Sequence, residues 1–288
     1  MTTVATMGCS FVWGDELIGH DQDPPTHWDS TFGAHLRREL GFDKHVNLAC
    51  CGNGNAKIFR DIIQYLSLPK KEDPEVLVVM WSAWKRIELF EAKESGFEER
   101  QKIKREQQMT QFSPVRYNYL NKDNSEIAGM WSTLVNNNQT GIIQTLTYMS
   151  AIQQLCDARG IKIVQTVFHT AMGQQLLDAF FRDVPDTDVS QWRNWVYEAI
   201  WSLRPECTLG IRFLDAIDEA QKDDLEYKVY VKDGRVKNHK GKAIRDDNGH
   251  FTLYELGVEK DDIAKYGHPK ELSHELYAKS LAKIIKEI

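Results

Sequence analysis

Hydrophobic and polar residues follow two different periods along this chain, and these periods predict alternating strands and helices. Short, nearly continuous apolar runs predict strands at 4–7, 45–49, 75–81 and 161–168. Between and after them, apolar residues recur every three or four positions, which predicts helices at 31–40, 57–66, 141–159 and from 270 onward. Such alternation is typical of a parallel sheet that is covered by helices on both faces.

Two stretches interrupt the alternation and predict insertions. The first, at about 91–135, opens with residues that are dense in charge of both signs. The second, 227–256, contains Asp-Gly at 233–234 and Asn-Gly at 248–249 between β-prone runs, and such dipeptides are strong hairpin signals. We therefore expect an inserted antiparallel β-ribbon, which either borders a functional site or decorates the surface. Without a repeat or a low-complexity linker, a single domain over 1–288 is expected.

Composition limits the classes of function. Hydrophobic residues make up 42% of the chain and charged residues 27%, which is ordinary for a globular protein. The net charge of −6 argues against a nucleic-acid partner, and no apolar run is long enough to predict a membrane partner. Residues 1–6 lack the features of a secretory signal, so a cytoplasmic location is expected, with virion association as a second option. The 5 cysteines lack metal-like spacing, which favours reduced thiols over a metal site.

Polar residues suited to catalysis follow the predicted strands, at the edge where parallel sheets carry their functional groups. Ser10 comes after the first strand, in a turn flanked by Gly8 and Gly14. A serine hydroxyl becomes an effective nucleophile only beside a base. His268, just before the C-terminal helix, is the expected base, and His169, after the fourth strand, is the alternative.

Three segments resemble, in order along the chain, the sequence blocks of the SGNH (GDSL-like) hydrolases. Residues 8–14 resemble the first block, Gly-Asp-Ser-x-x-x-Gly, with Cys9 in place of the usual Asp. Residues 47–55 resemble the second block, a glycine-containing loop after a strand. Residues 267–274 resemble the last block, which holds a His-Pro pair and a later His. The divergent blocks look like those of SGNH-like proteins from phages and marine bacteria.

The resemblance implies a fold, a reaction and roles for particular residues. The fold would be a flavodoxin-like three-layer α/β/α sandwich. The reaction would be hydrolysis of small acyl esters, among them O-acetyl groups on carbohydrate, through an acyl-enzyme. Ser10 would be the nucleophile and His268 the base, with the N–H groups of Ser10 and Gly52 and the amide of Asn55 as the oxyanion hole. No cofactor is implied, the partner is a small acylated substrate, and His274 is expected to be structural.

Two features of the family pattern are absent from their usual places. The third block, Gly-x-Asn-Asp, has no counterpart at 81–86, so an oxyanion-hole amide is missing there. Lys265 stands where the acid that orients the histidine is expected. Either Asp262 or Asp261 supplies this acid from the preceding turn, or a backbone carbonyl holds the imidazole in a Ser-His dyad.

Residues near the strand ends allow two interpretations. The missing amide has substitutes in Asn53, in Asn55, in Ser82 and in the indole N–H of Trp84. The candidates for substrate contact are Trp84, Ser82, Arg86 and His169. Core packing, or a solvated surface charge, is the plainer interpretation of the same residues.

Two other functions are compatible with the sequence. A non-catalytic binding or assembly protein with the same fold would account for the missing Asp and Asn. An acyltransferase would use the same serine but would exclude water and accept a second alcohol. Cys9, next to Ser10, is a minor alternative as the nucleophile.

Overall fold

The computed structural model describes residues 1–19, 27–69, 72–84, 138–168 and 260–288, with short pieces at 208–209, 230–232, 235–237, 253 and 257–258. The strands and helices within these residues are numbered in chain order. The strands are β1 Thr3–Met7, β2 Lys44–Asn47, β3 Val76–Trp81, β4 Lys162–Val167, β5 Thr208–Leu209, β6 Tyr230–Lys232 and β7 Arg235–Lys237. The α-helices are α1 Ser10–Trp13, α2 Phe32–Leu40, α3 Asn55–Leu66, α4 Asn138–Arg159 and α5 Glu271–Glu287, and a 3₁₀ turn spans His27–Ser30.

A parallel sheet of five strands lies at the centre, in the order β2-β1-β3-β4-β5. This is the flavodoxin-like strand order, in which the chain reverses its direction of progress between β1 and β3. Functional groups in such sheets gather outside the carboxyl ends of the strands at this reversal. The predicted α/β fold with a parallel central sheet is confirmed, and Ser10 and Ser82 follow the two strands that flank the reversal.

Helices cover both faces of the sheet, which explains the continuous apolar runs of the central strands. Leu77, Val79 and Trp81 of β3 pack in one buried cluster with residues of α3 and α4. Val76 and Met80, which point to the other face, pack with residues of α2 and α5. Because successive strand residues point to opposite faces, a strand covered on both sides must be apolar throughout.

The observed elements match the predicted ones closely, with small shifts at their ends. Strand β2 stops at Asn47, so the last two residues of the predicted 45–49 belong to a loop. Helix α5 begins at Glu271, so Pro269 precedes it. β6 and β7 pair antiparallel, in agreement with the ribbon predicted for 227–256. The rest of this ribbon and the predicted insertion at about 91–135 lie outside the described residues.

Two further properties follow from the described residues. The four cysteines among them, Cys9, Cys50, Cys51 and Cys156, are free thiols. No helix in this part of the chain combines the length and the apolar character that a membrane span needs.

Candidate active site

A tight turn between β1 and α1 presents Ser10 as the first residue of α1. Gly8 allows this turn because a Cβ there would overlap the side chain of Val12 and lie 2.9 Å from the carbonyl oxygen of Met80. Gly14 ends α1 in the left-handed conformation, with φ of 87°. Cys9, the alternative nucleophile, is buried in the hydrophobic core, so its thiol is withdrawn from the site.

His268 meets Ser10 although the two lie 258 residues apart in the chain. Nε2 of His268 is 2.9 Å from Oγ of Ser10, as the sequence predicts for a nucleophile and its base. The histidine belongs to a turn before α5, in which Ala264 N–H donates to the His268 carbonyl at 2.8 Å. An antiparallel bridge between Ile263 and Pro269 closes this turn.

Glu16 is the acid that holds His268. Its Oε2 lies 2.8 Å from Nδ1 of the imidazole. The same carboxylate accepts hydrogen bonds from two backbone N–H groups, from Tyr266 at 2.8 Å and from His268 at 3.2 Å. The side chain is only 11% exposed. Ser10, His268 and Glu16 therefore form one continuous hydrogen-bonded chain.

The environment of Glu16 keeps it ionised. Partial burial by itself raises its pKa, but the N–H groups of Tyr266 and His268, together with the imidazole, hold the pKa below its ordinary value. A carboxylate can only accept a hydrogen bond, so Nδ1 of His268 must carry the proton. Nε2 is then left as an acceptor for the Ser10 hydroxyl, which is the tautomer that a general base requires.

The structure corrects the acid expected from the sequence. Oδ2 of Asp262 accepts hydrogen bonds from N and Oγ of Ser273, at 2.7 and 2.6 Å, so this carboxylate caps the first turn of α5. Asp261 is exposed and stands in the left-handed conformation with φ of 53°. Neither it nor a backbone carbonyl occupies Nδ1, which faces Glu16. The family pattern directs attention to residues before the histidine, whereas the signal for the acid is the Asp-Glu pair just after Gly14.

Two other side chains flank the His268 ring. The ring centroid of Phe11 lies 5.1 Å from that of the imidazole, and the ring centroid of Phe168 lies 5.1 Å from that of Phe11. Asp15 places Oδ2 3.7 Å from Nε2, and its side chain is 30% exposed. Nε2 thus has a second carboxylate beside it.

The loop after β2 is tied to the turn that carries the serine. Nδ2 of Asn53 donates to the carbonyl of Gly8 at 3.0 Å, and the backbone N–H of Asn53 donates to the Cys50 carbonyl at 3.2 Å. Gly52 lies at the exposed tip of this turn with φ of 78°, a conformation that suits glycine. The structure therefore holds Gly52 and Ser10 on two loops that are joined by hydrogen bonds.

Asn55 does not have the role expected for it in the oxyanion hole. Its Nδ2 donates to the Ser82 carbonyl at 2.9 Å and to Oγ1 of Thr145 at 2.8 Å, while its Oδ1 accepts from Ser82 N–H at 2.7 Å. Both amide hydrogens are therefore used in the interior. Asn55 connects the start of α3 with the end of β3 and with α4, which is a structural role.

The remaining predicted site residues separate into three groups. Ser82 and Trp84 are buried, with Trp84 in the core beneath α4, so neither offers a surface to a substrate in this conformation. His274 accepts a hydrogen bond from Phe32 N–H at 2.9 Å and joins α5 to α2, which is the structural role expected of it. Arg86 and His169 lie outside the described residues. In the part of the chain that is described, no group of three or more His, Cys, Asp or Glu side chains is arranged to hold a metal ion.

A family model described as a family of unknown function (DUF6071) matches residues 15–153. No curated protein sequence matches the chain significantly.

Three solved structures are similar to this chain. TesA is 11% identical with a TM-score of 0.42, and the match covers 99% of each chain. An acetyl xylan esterase is 9% identical with a TM-score of 0.37 over 98% of each chain. A lipase from a goat rumen metagenome is 11% identical with a TM-score of 0.39, over 99% of this chain and 97% of that one.

Proposed function

We propose that this protein is a serine esterase of the SGNH type, which hydrolyses small acyl esters through an acyl-enzyme. The observation that carries this proposal is the unbroken chain from Oγ of Ser10 through the imidazole of His268 to the carboxylate of Glu16. A buried serine with only a structural role needs no oriented base. A nucleophilic serine needs a histidine base and a group that fixes the tautomer of that histidine.

The reaction follows from this geometry. Oγ of Ser10 attacks the ester carbonyl carbon while Nε2 of His268 takes the hydroxyl proton. The tetrahedral intermediate collapses with cleavage of the bond to the alcohol oxygen, and Nε2 returns the proton to that oxygen. Water then gives its proton to Nε2 and attacks the acyl-Ser10 carbonyl. The second collapse releases the acid and restores the serine hydroxyl. Throughout, Glu16 stabilises the imidazolium without taking its proton.

For the oxyanion we propose the backbone N–H groups of Ser10 and Gly52. Ser10 begins α1, and the first N–H groups of a helix have no partner within it. The hydrogen bond from Asn53 to Gly8 holds the loop of Gly52 against the serine turn. Loss of one oxyanion-hole donor typically costs ~3 kcal/mol of transition-state stabilisation.

The carboxylate of Glu16 weakens the case for a non-catalytic protein and leaves the acyltransferase as the second candidate. The case for a non-catalytic binding protein depended on the missing family Asp and Asn, and Glu16 offers the imidazole the support of the missing Asp from another part of the chain. An acyltransferase would share the acyl-enzyme and differ only in the alcohol or water that accepts the acyl group. Small acyl groups, including O-acetyl groups on carbohydrate, remain the proposed substrates.

The deciding experiment combines active-site labelling with ester hydrolysis. A fluorophosphonate probe should label the parent protein and Ser67→Ala, an exposed serine at the end of α3, but not Ser10→Ala. Hydrolysis of short-chain acetyl esters should fall by roughly a thousandfold or more in Ser10→Ala. The free energy of unfolding of this variant should equal that of the parent. Equal activity of Ser10→Ala and the parent would refute the proposal. Adding an acceptor alcohol, and assaying for a new ester, tests the acyltransferase.

A further inference from the structure

A second carboxylate stands next to Nε2 of His268, the nitrogen that would protonate the leaving group in the proposed reaction. Oδ2 of Asp15 lies 3.7 Å from Nε2 of His268, and Oγ of Ser10 lies 2.9 Å from the same nitrogen. Asp15 is partly exposed, and its backbone N–H donates to the Ser10 carbonyl at 3.0 Å. The carboxylate is therefore held beside the nucleophile by the same turn that presents it. The triad described above does not use this group.

The chemistry of the leaving group makes this position informative. In the proposed reaction Nε2 gives its proton to the alcohol oxygen of the ester, so that oxygen must come within hydrogen-bonding distance of Nε2. Atoms bonded one or two positions beyond the oxygen then lie in reach of Asp15. A carboxylate accepts hydrogen bonds and repels negative charge.

We propose that Asp15 determines which alcohols this enzyme releases. It selects esters whose alcohol half carries a hydroxyl next to the ester oxygen, as in a polyol, and it rejects esters whose alcohol half carries a carboxylate. This inference rests on the proposed esterase function and specifies its substrate class. Because the side chain is partly exposed, solvent screens the charge, and the expected discrimination is about three- to tenfold.

The test uses three acetyl esters that differ only in the alcohol half: glycerol monoacetate, propyl acetate and O-acetylglycolate. For each ester, kcat/KM is measured with the parent, Asp15→Asn and Asp15→Ala. Asp157→Asn is the matched control, because Asp157 is an exposed aspartate near the end of α4. It lies just before β4 begins, whereas Ser10 and Asp15 follow the carboxyl end of β1. The quantities compared are ratios of kcat/KM between esters, so a general change in activity cancels.

The parent should favour glycerol monoacetate over propyl acetate and disfavour O-acetylglycolate, each by about three- to tenfold. Asp15→Asn should raise the kcat/KM for O-acetylglycolate, relative to that for propyl acetate, by the same factor. Asp15→Ala should do so too, and it should also remove the preference for glycerol monoacetate over propyl acetate. Asp157→Asn should keep the ratios of the parent. Unchanged ratios in both Asp15 variants, with Ser10 still labelled and propyl acetate still hydrolysed, would overturn this inference alone. Absence of both labelling and hydrolysis in the parent would overturn the esterase and this inference with it.

Discussion

At the scale of single residues, Glu16 has an unusual backbone conformation that its side chain explains. Its φ is 65°, in the left-handed region that residues other than glycine seldom adopt. The carboxylate is fixed there by the N–H groups of Tyr266 and His268 and by the imidazole of His268. Strained conformations persist where the surrounding contacts over-determine them, and such positions cluster at functional sites.

Glu16→Gln should reduce kcat by about 10²–10⁴-fold for a neutral acetyl ester. The amide has nearly the same shape but carries no charge, so it neither enforces the Nδ1–H tautomer nor stabilises the imidazolium. The measurement is steady-state hydrolysis from pH 5 to 9, together with urea denaturation to verify folding.

Asp262→Asn is the matched control for this substitution. Asp262 caps α5 through Ser273, so its loss should lower the free energy of unfolding by about 1 kcal/mol and leave kcat within a few fold of the parent. If Asp262→Asn abolished turnover while Glu16→Gln did not, the assignment of the acid would have to be reversed.

At the scale of elements, α4 approaches the end of β3 so closely that only glycine fits at the contact. A Cβ on Gly141 would overlap the carbonyl oxygen of Trp84 and lie 2.7 Å from its carbonyl carbon. These are backbone atoms, which cannot rotate away. The contact also supports the polar link from Asn55 to Thr145, whose Oγ1 donates to the Gly141 carbonyl at 2.8 Å.

Gly141→Ala should destabilise the protein by about 1–3 kcal/mol, the usual cost of overpacking. Alanine is the better helix former by about 1 kcal/mol, so helix propensity alone predicts stabilisation, and the sign of the change decides between the two effects. Thr147→Ala, at an exposed position of the same helix, is the control that gains propensity without a clash. The measurement is urea denaturation of both variants, and a Gly141→Ala protein as stable as the parent would contradict the close contact.

At the scale of the whole molecule, two histidines with lowered pKa values make stability depend on pH. Burial lowers the pKa of His274, between α5 and α2, to about 3. Burial, and then Arg37 and Arg38, lower the pKa of His45 on β2 to about 4. In the unfolded chain both groups titrate near 6.5. Below pH 6.5 the unfolded state therefore binds more protons than the folded state, and the free energy of unfolding falls as pH falls.

His274→Asn should weaken this pH dependence. The Asn Oδ1 can replace Nδ1 as acceptor for Phe32 N–H, but Asn does not titrate. The variant is expected to be less stable than the parent at pH 7 because of the smaller side chain. Its free energy of unfolding should nevertheless fall less steeply between pH 6.5 and about 4. Parallel curves for the two proteins, from denaturation at several pH values, would show that His274 is not a source of the slope.

The sequence by itself predicted the strands, the helices and the place of Ser10 after β1, and it named His268 as the expected base with His169 as the alternative. Strand and helix periods are local properties, and a strand buried on both faces, such as Val76–Trp81, must be apolar throughout. Parallel strands bring the residues that follow them to one edge of the sheet, so the serine turn can be located without knowing any long-range contact.

Only the tertiary structure placed Glu16 against His268, and only it put Asn55 and Trp84 in the interior. Glu16 acquires its role because the backbone N–H groups of Tyr266 and His268 converge on it from 250 and 252 residues away, and backbone groups leave no mark in a sequence. The Asn55 amide is occupied because α4 closes over it, and that depends on the packing of Gly141 against Trp84. Periods reveal which face of an element is buried, whereas the partner of a polar side chain is set by how loops and helices meet in three dimensions.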